Sequence, residues 1–243
     1  MRGGSPDRFI LEPVTGAAVE FDEGWVLFDT GFNPDTVRDP EKRIAHYSNI
    51  DPYYCYIACI PRGDPLLRQI EETGLKRADL AMVVISHLHC DHSGGLRLMV
   101  DGPPIVIQRA EHHFAMGEAG LEHAFFRTDY EIPGLRWNMV EGDTELAEGL
   151  RVLDTSGHTP GGQSLAVQLA RETIVLAGDC ADLRENIEGC IPCGFTTHPD
   201  LEDAAEKAVQ RMHELDQRDD TTVWPSHDPV YWDMLLSNTQ SDA

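Results

Sequence analysis

Four side chains of metal-ligating type fall within six residues at His87-Leu88-His89-Cys90-Asp91-His92. One regular face cannot present all four. His87 and His89 alternate by two, and Asp91 and His92 then turn away. A tight loop can aim the first pair at one cation and the second pair at a neighbouring one. Imidazole and carboxylate suit zinc and other borderline divalent ions. Three more donors stand downstream at His158, Asp179 and His227. Five histidines and two aspartates match two cations, each with three terminal ligands or nearly so, sharing Asp179 and a solvent-derived oxygen.

These donors need rigid elements to hold them. Short apolar runs read as buried strands at Trp25–Phe28, Leu80–Ile85, Ile105–Ile107, Leu150–Leu153 and Ile174–Ala177, with a weaker one at Thr221–Trp224. Polar groups follow them: Asp29-Thr30-Gly31, Ser86-His87, Asp154 to His158, Gly178-Asp179 and Pro225-Ser226-His227. Open α/β architectures build sites at such strand ends. Helix signals lie between the strands. Asp64-Pro65, then Leu66, Leu67 and Ile70, then Gly74, reads as cap, first-turn proline, apolar face and stop. Residues 203–217 place Ala204, Ala205, Ala208, Met212 and Leu215 on one helical face. The chain is α/β.

The string Ser86-His87-Leu88-His89-Cys90-Asp91-His92-Ser93-Gly94-Gly95 resembles the signature of the metallo-β-lactamase superfamily. Gly157-His158-Thr159-Pro160-Gly161, Ala177-Gly178-Asp179 and Pro225-Ser226-His227-Asp228 resemble its later motifs in the same order. The resemblance implies an αββα sandwich, two mixed β-sheets flanked by helices, as a single hydrolase domain over residues 1–243. Within the superfamily the chain resembles N-acyl-homoserine lactone hydrolases through Phe28–Asp35, Asp39-Pro40-Glu41, Arg184-Glu185-Asn186 and Ser226-His227-Asp228-Pro229. That likeness implies His87, His89 and His158 on a first cation. It implies Asp91, His92 and His227 on a second, with Asp179 bridging. The ions implied are two divalent metals, zinc before iron, manganese or cobalt. Many such lactonases carry tyrosine three residues after the bridging aspartate, where this chain has Asp182, and an aromatic residue where it has Cys90. Few residues precede Trp25, which leaves little chain for the family's first hairpin.

The chemistry so implied is hydrolysis. Two cations sharing a solvent oxygen lower its pKa from 15.7 to about 7. The resulting hydroxide attacks a lactone or ester carbonyl, one cation polarises the carbonyl oxygen, and Asp91 shuttles a proton to the leaving alkoxide. The expected substrate is an N-acyl-homoserine lactone or a related small neutral lactone. Tyr53, Tyr54, Tyr56 and Ile57 are candidates to line an acyl-chain pocket. Other readings are a glyoxalase II-type thioesterase, a redox di-iron protein, and a non-catalytic metal-binding relative. The thioesterase wants basic residues near the ligands, and none cluster there. The di-iron protein wants a carboxylate where His89 stands.

Composition narrows the partners. The chain has 243 residues, with 19 Lys+Arg against 42 Asp+Glu and a formal charge of −23. Such a balance repels phosphate backbones and anionic lipid, so neither nucleic acid nor a membrane is an expected partner. There is no apolar run of transmembrane length and no secretory leader, so the expected location is cytoplasmic. Oligomeric state is left open. Six cysteines make no disulfide scaffold, and Cys190-Ile191-Pro192-Cys193 reads as ordinary reduced thiols. Cys90 and Cys180 adjoin proposed ligands and read as small apolar packing. His46, His112, His113, His123, His198 and His213 read as ordinary surface or core histidines, with the His112-His113 pair solvated at a helix start. Asp29 reads either as a turn residue or as an orienting partner for a ligand histidine.

Overall fold

A computed structural model describes residues 10–22, 24–42, 58–118 and 124–239. The acyl-pocket candidates Tyr53, Tyr54, Tyr56 and Ile57 lie outside the described residues, as do Cys55, His46 and His123. The chain divides into two compact units, one spanning Gly16–Met139 and the other formed by Val140 onward with the segment before Gly16.

The first unit carries a five-stranded sheet in the order β1-β2-β3-β4-β5. Its strands are β1 (Ala17–Phe21), β2 (Gly24–Phe28), β3 (Leu80–Val84), β4 (Pro104–Gln108) and β5 (Arg136–Val140). β1 and β2 form an antiparallel hairpin, Ala17 opposite Phe28 and Phe21 opposite Gly24, so the first hairpin is intact despite the short segment ahead of Trp25. β1 alternates half-buried and exposed residues along its length, an edge pattern with no apolar run to announce it. β2, β3 and β4 run parallel, and their continuous apolar runs reflect burial on both faces. Trp25, Leu27, Val83, Ile85, Ile105 and Ile107 form the centre of this unit's core. The helix Pro65–Thr73 is bounded as the sequence predicts. Asp64 accepts the Leu67 N–H, Pro65 occupies the first turn, and Gly74 ends it in the left-handed region at φ 76°.

The second unit has the sheet order β10-β9-β8-β7-β6. Four strands, β6 (Thr144–Ala147), β7 (Leu150–Asp154), β8 (Gln163–Gln168) and β9 (Thr173–Leu176), make an antiparallel meander. β10 (Thr221–Trp224) then adds parallel to β9. That parallel return needs a crossover, and the helix Glu202–Asp216 supplies it. Its buried face is Ala205, Ala208, Val209 and Met212. Ala204 is only half-buried, and Leu215 packs at the margin of the core. Arg184 closes the unit with a two-pronged ion pair to Asp216 and a bond to the Val223 carbonyl.

One buried polar network in the first unit has a measurable signature. Asn33 Nδ2 donates to Asp129 Oδ1 at 2.8 Å, while Arg97 Nε donates to Asn33 Oδ1 at 3.3 Å and its guanidinium pairs with Asp64. Asp129 is fully buried, and its Oδ2 has no hydrogen-bond partner among the described residues. Burial raises its pKa to about 6, against the opposing pull of Asn33 and Arg97. The folded state therefore holds this proton more tightly than the unfolded chain. The associated stability is full below the unfolded value of 3.8 and is lost as pH climbs through about 6. Asp129→Asn removes the titration and keeps the acceptor for Asn33. Denaturant unfolding of metal-free protein tests this. The stability of wild type relative to the variant is expected to fall by about 2 kcal/mol from pH 4 to pH 7. A difference independent of pH rules it out.

Candidate metal centre

In the first unit, β3 delivers Ser86 and His87 to its end, and a loop running into the short helix Cys90–Ser93 carries His89, Asp91 and His92. His87, His89 and His92 are all at least 95% buried. Asp91 keeps some contact with solvent. The loop is pinned along its length. Cys90 N–H bonds the Ala124 carbonyl, His89 bridges to Phe125 in an isolated β-pair, and the Thr30 N–H and hydroxyl both reach the His92 carbonyl. Gly94 and Gly95 follow because the loop Thr30–Asn33 passes too close for a side chain. A Cβ on Gly94 would sit 2.0 Å from the Asn33 nitrogen.

Asp29 sets the imidazoles. It sits just past β2 with φ 59° and is 2% exposed. Its Oδ1 accepts the Ser86 N–H at 2.7 Å. Its Oδ2 accepts the Ser86 hydroxyl at 2.8 Å and His92 Nδ1 at 2.8 Å. A carboxylate only accepts, so His92 is protonated at Nδ1 and presents Nε2. The Ser86 hydroxyl spends its proton on Asp29, so its lone pair takes His87 Nδ1–H at 3.0 Å, which turns His87 Nε2 inward. Two donor pairs result. His87 Nε2 and His89 Nδ1 stand 2.9 Å apart, and His92 Nε2 and Asp91 Oδ2 stand 3.5 Å apart. Asp29 is thus an orienting partner for a ligand-type histidine as well as a turn residue.

The second unit repeats the logic. Asp154-Thr155-Ser156-Gly157 leads from β7 to His158, whose Nδ1 donates to the Phe195 carbonyl at 3.0 Å. After β10, His227 Nδ1 donates to the Pro13 carbonyl at 2.8 Å. Both rings therefore present Nε2, and both face Asp179 just after β9. His227 Nε2 lies 3.1 Å from Asp179 Oδ1, and His158 Nε2 lies 3.5 Å from Asp179 Oδ2. Each carboxylate oxygen faces a different histidine, and Ser226 Oγ holds Oδ1 at 2.6 Å. Asp182 is partly buried beside this trio. Desolvation raises its pKa, and the neighbouring Asp179 charge pushes the same way.

The donor chemistry matches divalent cations. Imidazole nitrogens with their far side fixed by a carbonyl or carboxylate are the arrangement that metal-ligating histidines use. A pair of ring nitrogens 2.9 Å apart leaves both within reach of one ion at ~2.0–2.1 Å.

Several neighbours are settled by their surroundings. Cys180 is buried with its thiol pushed up to about 12 by desolvation, so it packs as an apolar group. Cys90 is buried as well. Cys190 is exposed and Cys193 buried, and the Cys193 thiol donates to the Phe195 carbonyl at 3.1 Å, the acceptor that also holds His158. His112 departs from expectation. It sits inside the helix Arg109–Met116, with its ring edge-on to Trp137 at 5.0 Å and its ring nitrogens shielded from solvent. Desolvation, then the neighbouring His113, lowers its pKa.

With this geometry in place, the chain can be set among known proteins. Residues 12–227 match the Metallo-beta-lactamase superfamily, and the chain belongs to it. Its two mixed five-stranded sheets with their helices are those of the α/β sandwich of that family, as the sequence motifs imply. An N-acyl homoserine lactonase of Bacillus cereus is 29% identical over 229 residues, covering 92% of this chain and 84% of the relative. The N-acyl homoserine lactonase AttM of Rhizobium radiobacter is 28% identical over 228 residues, covering 90% and 83%. Among solved structures, an N-acyl homoserine lactone hydrolase with the product N-hexanoyl-L-homoserine at its catalytic metal center superimposes with a TM-score of 0.78 at 25% identity, covering 96% and 88%. No helix among the described residues is long and apolar enough to cross a membrane.

Proposed function

We propose that the protein is a dinuclear-metal hydrolase that opens the ester ring of N-acyl-homoserine lactones or a related small neutral lactone. In this reading the two units work as one hydrolase domain over residues 1–243, in the cytoplasm. His87, His89 and His158 hold one ion, Asp91, His92 and His227 hold the other, and Asp179 bridges. The observation that carries it is Asp179, whose two oxygens each face a different, outwardly anchored histidine. The N-acyl homoserine lactonase relatives, at 28–29% identity over most of the chain, support the substrate class.

When bound, the ions, zinc in this reading, supply Lewis acidity, lowering the pKa of water toward 7 and drawing charge from a carbonyl oxygen. The chain does the rest. Asp29, Phe195 and Pro13 hold Nδ1–H on His92, His158 and His227, so each keeps Nε2 for the centre through the cycle. Asp91 is less buried than the histidines it adjoins and serves as the proton carrier toward the ring oxygen. Water's hydroxyl ends on the acyl carbon, the acyl–oxygen bond breaks, and the proton ends on the freed alcohol.

Two measurements test the reading together. Elemental analysis of purified protein is expected to give close to two divalent ions per chain. A pH-stat panel of acyl-homoserine lactones, simple γ-lactones and glutathione thioesters is expected to show acid release from the lactones. Turnover of thioesters alone replaces the lactone assignment with a thioesterase. Undiminished hydrolysis by metal-free protein removes the mechanism.

A further inference from the structure

Two buried carboxylates bracket the loop that carries His87 and His89. Asp29 holds it at Ser86 and touches the ligand-type His92 directly. The other is Glu111, on the helix Arg109–Met116, with no exposed surface. Its Oε1 accepts the N–H of Leu88 at 2.9 Å. Leu88 is the residue between the two histidines and is itself fully buried. Rotation of the His87–Leu88 peptide moves His87 Nε2 relative to His89 Nδ1, and these atoms stand 2.9 Å apart. On the far side the loop is already fixed. The Cys90 N–H bonds Ala124, and the Ser93 hydroxyl bonds the His89 carbonyl. At the Leu88 N–H the helix Arg109–Met116 grips the peptide between the pair, while the Ser93 hydroxyl reaches the Leu88 carbonyl at 3.4 Å.

We propose that Glu111 is a positioning residue that sets the spacing of the His87–His89 donor pair by holding the Leu88 peptide, and so tunes how tightly that pair grips its cation. The proposal rests on the dinuclear reading above. A buried carboxylate is an expensive acceptor unless its bond matters, and residues behind metal ligands typically change affinity by about 10–100-fold when altered. Length is the critical property. Glutamine at this position keeps an acceptor oxygen at the same reach, whereas aspartate is one methylene too short.

The test compares wild type, Glu111→Gln and Glu111→Asp by chelator competition for Zn2+ and by the visible spectrum of the cobalt-substituted protein. Glu111→Gln is expected to stay within about threefold of wild type with the same spectrum, and Glu111→Asp to bind about 10–100-fold more weakly with a shifted spectrum. A merely structural Glu111 lowers the melting temperature of Glu111→Asp and leaves both metal readouts unmoved. That result overturns the proposal, as does a Gln variant that loses as much as the Asp variant. If Glu111→Asp does not fold, amide hydrogen exchange in the wild type decides instead. The Leu88 amide is expected to be protected in metal-free and zinc-loaded protein, and fast exchange there overturns the proposal. Wild-type protein that binds no ion overturns the dinuclear reading itself. Two ions held with an unchanged Asp variant overturn the positioning role alone.

Discussion

Asp179→Ala is expected to cut lactone hydrolysis by ~10³-fold, with the metal content falling from about two ions per chain to one or fewer. The size follows from what the side chain touches. Its oxygens face His227 Nε2 at 3.1 Å and His158 Nε2 at 3.5 Å, and Ser226 Oγ fixes the first of them. Alanine removes the carboxylate that faces both imidazoles. A loss of ~4 kcal/mol of transition-state stabilisation corresponds to the stated factor. Asp179→Asn keeps the shape but turns an NH2 toward one histidine, so it is expected to lose one ion preferentially. Elemental analysis and initial rates on one preparation, with circular dichroism to verify folding, check the claim. Retention of both ions at full rate contradicts it.

The second large effect is on stability. In metal-free protein, Asp29→Ala takes the carboxylate acceptor from the buried Ser86 N–H, the Ser86 hydroxyl and His92 Nδ1–H. It also places a Cβ-bearing residue with no local hydrogen bond at φ 59°. Taking the acceptor from buried donors costs about 1–3 kcal/mol each, about 3–5 kcal/mol for the set, which lowers the melting temperature by roughly 6–20 °C for a chain of this size. Asp29→Asn tolerates the left-handed backbone and still accepts from Ser86. Its NH2 opposes the His92 proton, so its loss is expected to be intermediate. Calorimetry in excess chelator separates this term from metal binding. A shift under about 2 °C for alanine refutes the account.

What the sequence showed depended on how locally each feature is encoded. The buried parallel strands were legible because burial on both faces leaves continuous apolar runs, as at Leu80–Val84 and within Pro104–Gln108. The edge strands β1, β5 and β6 have half-exposed patterns of four or five residues and were not separable from loops. β8 was missed although well buried, because Gln163-Ser164 at its start reads as polar. The seven donor side chains could be named because strand ends and residue types coincide. Asp29 could be named as one anchor, but Phe195 and Pro13 could not, because they act through backbone carbonyls that carry no residue-type signal. Glu111 left only a weak trace, a carboxylate on the inward face of a short amphipathic helix. Asp129 is similar, since nothing in Arg127-Thr128-Asp129-Tyr130 announces burial.

The bond from His227 to the Pro13 carbonyl spans 214 positions, and Thr15 reaches Ser226 across 211. Closure over such distances is slow relative to local pairing. On the ribosome, residues 13 and 15 emerge long before their partners exist. The sheet from Gly16 to Met139 can assemble from neighbours already made, whereas the last imidazole is fixed only when the stretch around Pro13 is still free to receive it. Synthesis therefore leaves the hydrolytic centre unfinished until His227 itself has been released.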